Sequence, residues 1–197
     1  VCVVGIYLIT ALAVQGQDVP EAYRASLDKW RDTTSSNSYR VEAITQLVHG
    51  LRPLSDLEAL RMVVPGLSDT TTTFARKQLS LVDLGRGNLL AWFDRCDEAL
   101  PWFERARARM APLSDTGMLA QCDALSGFTL KNAGRLGEAT GYALRAIRGY
   151  TTTQDSAGLV EVHHDLGYIL GEQGEVANGV VNYTRAMEVE RRSFYEY

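Results

Sequence analysis

The sequence predicts an all-α solenoid of antiparallel helix hairpins, on three observations. Gly87, Gly127 and Gly167 are 40 residues apart, and the same spacing joins Leu90, Leu130 and Leu170, then Ala99, Ala139 and Gly179, then Ala106, Ala146 and Ala186. Within a period, apolar residues recur at helical spacing, as Val162, Leu166, Ile169 and Leu170 do in the third copy, the stripe of an amphipathic helix. No segment reads as a strand. A fixed period of this length marks like units that bury their apolar faces on one another. Small residues recur where two helices pack with close backbones, and Leu where a side chain fills the space between them.

The elements follow in order. Residues 1–14 carry no charge, and the polar residues from Gln15 end the run short of the roughly 20 residues a membrane-spanning helix needs. The stretch reads as a secretory signal peptide over 1–16, with Val14 and Gly16 placed for cleavage before Gln17. Its initiator Met and basic n-region are missing, which marks the sequence as a fragment; the alternative is a buried helix of a cytosolic protein. A capping helix over 17–37 starts at Asp18-Val19-Pro20-Glu21 and turns Val19, Tyr23, Leu27 and Trp30 inward. Residues 38–79 form a degenerate repeat, in which Ser55-Asp56-Leu57-Glu58 is a capping box and Ala59-Leu60 aligns with Ala99-Leu100. Regular repeats occupy 80–119, 120–159 and 160–197. Each has a first helix, a turn at Asp94, Gly134 or Gly174, residue types that tolerate a left-handed backbone, and a second helix. The expected helices lie near 72–93, 97–110, 117–133, 137–150, 157–173 and 177–195, with joints at Leu113–Gly117 and Thr151–Asp155. By this register the third copy ends just past Tyr197, so a further repeat is expected beyond it.

Several chemistries are set aside. With 46% hydrophobic and 22% charged residues in 197, the chain can bury a core and is not a disordered tail. A net charge of −4 gives no electrostatic footprint for nucleic acid in this segment. Its one short basic stretch, Arg105 to Arg109, reads as a solvated face at a helix end that favours cations. Three cysteines and three histidines lack zinc-site spacing. His163 and His164 are adjacent on one helix and diverge by about 100°, so they do not serve one catalytic site; one packs and one faces a groove. The glycines recur for packing and do not cradle phosphate. No catalytic residue, metal or cofactor is expected. Cys96 and Cys122 fall in apolar columns at opposite ends of a hairpin, about 20 Å apart, beyond the roughly 7 Å a disulfide allows. Both are expected free and buried.

At these positions the chain resembles the tetratricopeptide repeat family. Its signature matches Leu166, Gly167, Leu170, Gly174, Gly179, Tyr183 and Ala186, and in the first copy Gly87, Leu90, Asp94, Ala99, Phe103 and Ala106. The second copy has Gly127, Leu130, Gly134, Ala139, Ala143 and Ala146, with Ala143 where an aromatic and Ser126 where a Leu is usual. The 40-residue period exceeds the common one, and the resemblance is to longer-period arrays in bacterial regulators and extracytoplasmic sensors. It implies a right-handed superhelix whose first helices line a concave, partner-binding face. Transferred by register, that face carries Asn88 and Trp92, then Phe128, Lys131 and Asn132, then Glu161, His164, Tyr168 and Glu172. The Lys and Asn clamp for a terminal carboxylate is not reproduced, because Leu84, Ala124 and Phe128 stand in its place.

The sequence thus predicts a non-catalytic scaffold or sensor array for a protein or peptide. It is expected to be exported, periplasmic or extracytoplasmic, as the amino-terminal part of a longer bacterial signalling protein whose only membrane link is a downstream anchor. The alternative is a cytosolic regulator of the same repeat type, and a remoter one is an enzyme.

Overall fold

The structure is a computed structural model and describes residues 69–195. The expected signal peptide, the capping helix, most of the degenerate repeat and any repeat past Tyr197 lie outside them. The described residues form helices α1 (Thr73–Trp92), α2 (Cys96–Met110), α3 (Thr116–Asn132), α4 (Leu136–Thr153), α5 (Ser156–Glu172) and α6 (Val176–Tyr195), with a 3-10 turn at Ala111–Leu113 after α2. They make an all-α, tetratricopeptide-like solenoid of three antiparallel hairpins, α1/α2, α3/α4 and α5/α6.

Local chemistry sets where each helix starts. The hydroxyl of Thr72 accepts from the Ala75 N–H at 3.1 Å. The carboxylates of Asp115 and Asp155 accept from the N–H groups of Met118 and Gly158 at 3.1 and 2.9 Å. Each satisfies a donor with no partner inside its helix. The second helices α2 and α4 have no side-chain cap, and there Arg95 and Arg135 pair with Glu98 and Glu138 one turn on.

The reversals are more regular than the sequence implied. Positive φ occurs at Asp94, Ser114, Gly134, Gln154 and Gly174, every twentieth residue. Around them the N–H groups of Arg95, Arg135, Asp155 and Glu175 donate back to the carbonyls of Leu90, Leu130, Tyr150 and Leu170 at 2.8–3.0 Å, closing helix ends as in a Schellman motif. The segment 151–153, expected in a joint, is the last turn of α4. There the hydroxyls of Thr151, Thr152 and Thr153 donate to the carbonyls of Ile147, Arg148 and Gly149, and the chain reverses only at Gln154. In the first hairpin, Pro112 has no N–H to continue a helix, and the equivalent turn is 3-10.

The recurring small residues sit at helix crossings. A Cβ at Gly87 would lie 2.4 Å from the Phe103 ring, and one at Gly179 would lie 2.9 Å from the Gly167 carbonyl oxygen. Ala99, Ala106, Ala139 and Ala146 are fully buried. Contacts run between successive helices and between successive first helices, α1 with α3 and α3 with α5. Each hairpin is therefore held by its neighbours in the stack.

Both described cysteines are free, and Cys122 is buried. Cys96, expected buried, is only half-buried. It is the first residue of α2, and its column opens toward solvent at the turn, with Val176 63% exposed.

Candidate functional site

The richest surface chemistry lies where α3 and α5 run side by side. Three-residue spacing puts Phe128 beside Lys131 on α3 and Asp165 beside Tyr168 on α5. The Lys131 ammonium is 4.4 Å from the Phe128 ring centroid, 5.6 Å from that of Tyr168 and 2.6 Å from Asp165 Oδ1. Its side chain is only 12% exposed. A cation over two aromatic faces with one carboxylate partner is held in a single orientation. Lys131, Asn132, His164 and Tyr168 line a cavity of 440 Å³. Next to it lies a larger cavity of 560 Å³, which Phe128, Glu161 and His164 share with Val160, Tyr183 and Met187. His164 stands edge-on to Tyr183, with centroids 5.3 Å apart.

The structure thus gathers Phe128, Lys131, Asn132, Glu161, His164 and Tyr168 around two adjoining cavities, and Asn88, Trp92 and Glu172 line neither. Trp92 and Glu172 are exposed at the last residues of α1 and α5. Asn88 corrects the expectation of an open groove residue, since it is buried. Every residue of α1 from Gln78 to Asn88 is buried, which leaves that stretch no face to offer a ligand.

The arginine run, expected as a solvated face, also departs from expectation. Arg105 and Arg109 donate through Nε to Asp83 Oδ2 at 3.0 and 2.8 Å, and Asp83 is almost fully buried. Burial pushes the Asp83 carboxyl above its usual range, against the pull of the two guanidinium groups. One repeat on, Arg145 and Arg107 donate to Asp123 Oδ1 at 3.2 and 3.4 Å. Arg105 stacks on Trp102 and Arg145 on Tyr142, at 4.9 and 4.1 Å. A buried carboxylate thus clamps first helix to second in two copies. In the third, His163 and Asn182 take the places of the carboxylate and the aromatic, with Nδ1 3.0 Å from Oδ1. The signal was present as Asp83 and Asp123, 40 residues apart inside apolar stripes. Asp165 was also missed, because it carries no column signature.

Among the described residues no group of three or more His, Cys, Asp or Glu side chains could hold a metal ion, and no helix is long and apolar enough to cross a membrane. Burial, with Asp123 beside it, pushes the Cys122 thiol up to about 12, and burial followed by Asp94 and Asp97 raises that of Cys96. Both thiols are protonated at neutral pH.

No family model matches the chain, and no curated protein does. Among solved structures, Bacillus thuringiensis PlcR, in complex with the peptide PapR7 and DNA, is similar at a TM-score of 0.52 and 11% identity over 98% of this chain and 71% of that one. A MamA RS-1 ArsTM double mutant gives 0.49 and 17% over 88% and 95%. MamA MSR-1 C2 gives 0.49 and 18% over 87% and 96%. At such identity the PlcR likeness speaks to the fold alone.

Proposed function

We propose that this chain is a non-catalytic scaffold that binds a peptide or an extended protein segment across α3 and α5. The observation that carries the reading is Lys131, fixed between Phe128, Tyr168 and Asp165 at the border of two cavities. Aromatic faces give area at low entropic cost, and a fixed cation beside Asn132 and His164 gives polar specificity. The peptide in the PlcR structure is that protein's own ligand, and it makes a peptide the first class of occupant to try here. The test is selection from a random peptide library on the full chain. Enriched peptides are expected to lose about tenfold in affinity, roughly 1.4 kcal/mol, on Tyr168→Ala or Phe128→Ala, with the helical circular dichroism unchanged. Peptides that bind both variants as tightly as the parent overturn the site.

The finer reading is an extracytoplasmic sensing or adaptor array at the amino end of a longer bacterial signalling protein. It rests on the signal-peptide character of residues 1–16. Terminal sequencing of exported protein should find Gln17 first. Retention in the cytoplasm with residues 1–16 intact would favour the cytosolic regulator instead.

A further inference from the structure

A separate cavity of 360 Å³ opens between the second helices α2 and α4. Phe103, Glu104 and Arg107 of α2 line it with Ser126 of α3 and with Tyr142 and Arg145 of α4, and it shares no residue with the two cavities at Lys131. Its two arginines are the pair that clamps Asp123. Asp123, whose side chain is 5% exposed, accepts from the Nε of Arg107 and the Nε of Arg145 through one oxygen, Oδ1. The Tyr142 ring lies against the Arg145 guanidinium, 4.1 Å from its centroid. A buried carboxylate thus fixes one edge of each guanidinium, and an aromatic face fixes the plane of the second.

The other edges stay open. No described residue accepts from the Nη groups of Arg107 or Arg145, and with their side chains 43% and 38% exposed a ligand can reach them. The first copy is built differently. There both guanidinium groups on Asp83, those of Arg105 and Arg109, come from α2 alone. At Asp123 one comes from α2 and the other from α4, so the pair straddles the groove between two hairpins, where the cavity lies.

Charge and lining select the ligand. Two guanidinium groups on one carboxylate leave a single positive charge, which suits a monoanion, and the exposed Glu104 opposes a second negative charge. Ser126 donates its hydroxyl to the Cys122 carbonyl at 2.8 Å and adds no donor, so the arginine forks do the recognising, and their planar shape matches a carboxylate. The buried Phe103 and the Tyr142 ring supply apolar wall. A volume of 360 Å³ lies at the small end of the range of about 300–1,000 Å³ for ligand cavities. We infer that the α2/α4 cavity binds a small monocarboxylate with an apolar body, its carboxylate bridging the Nη groups of Arg107 and Arg145 and its body against Phe103 and Tyr142.

The probe is benzoate, titrated into the full chain beside its uncharged isostere benzamide and read from the arginine Nε–H resonances by NMR. Benzoate should shift the Arg107 and Arg145 signals along saturable curves, and benzamide should bind about tenfold more weakly. Arg145→Lys keeps the charge but loses the fork, and should weaken benzoate about tenfold. Glu104→Gln changes an exposed side chain and leaves the clamp intact, so it should tighten benzoate roughly threefold. If Arg145→Lys lowers the melting curve, Glu104→Gln decides. Peptide selection at the Lys131 site should respond to neither variant, which keeps the two sites distinguishable. Equal binding of benzoate and benzamide, unchanged affinity in a folded Arg145→Lys, or weaker binding on Glu104→Gln overturns the proposal. So does the absence of a saturable shift at either arginine, and so does tighter binding of inorganic phosphate, which would make this a dianion site.

Discussion

At the scale of single residues, the glycines divide by what a methyl group would meet. Gly87 and Gly141 are both helical, and helix propensity favours alanine at each by about 1 kcal/mol. Gly141 faces open space, so Gly141→Ala should stabilise by roughly that amount. At Gly87 the Cβ would enter the buried Phe103 ring, and overpacking of that kind costs about 1–3 kcal/mol. Gly87→Ala should therefore lower the urea midpoint while Gly141→Ala raises it. Thiol labelling gives a second residue-scale expectation. In native protein Cys96 should react slowly with a maleimide, and Cys122, protonated and buried, only on unfolding. Peptide mapping that finds Cys122 labelled as fast as Cys96 would contradict its burial. The packing glycines were legible because a column of small residues repeats. The Asp83 and Asp123 clamps were not, since an arginine run at a helix end reads equally well as solvated until the facing helix is placed.

At the scale of elements, the twenty-residue spacing of left-handed turns sets where each hairpin closes. Asp94, Gly134 and Gly174 could be read from residue type, because these side chains tolerate that backbone. Ser114 and Gln154 could not, as neither is enriched there. The Thr-rich stretch ahead of Gln154 looked like a joint, yet its hydroxyls bond back to the helix and extend it. A non-glycine residue held at φ 57 is strained, at a cost of roughly 1–2 kcal/mol. Gln154→Gly should recover part of this and raise the melting temperature. Asp155→Ala next to it removes the α5 cap and should cost about 1 kcal/mol. The two changes act on opposite sides of one turn, and the melting curves of the single and double variants show whether turn strain and capping add.

At the scale of the whole molecule, the main contacts among the described helices join each helix to its neighbours in the stack, so stability is approximately a sum of hairpin terms and interface terms. Leu166 tests this. It is buried in the cluster that joins α5 to α4, and truncating such a leucine costs about 2–5 kcal/mol. In a globally cooperative domain, Leu166→Ala would speed hydrogen exchange of the most protected amides everywhere by one common factor. In a stack of neighbours, the loss falls on the α4/α5 interface and on the hairpin beyond it. Amides of α5 and α6 should then exchange faster by a factor that follows the lost free energy, while those of α1 and α2, held around Phe103 and Met110, change little. Among the described helices α6 packs chiefly on α5, so it should follow α5 when that helix loosens. Equal acceleration in α1 and α6 would mean that the array folds as one unit.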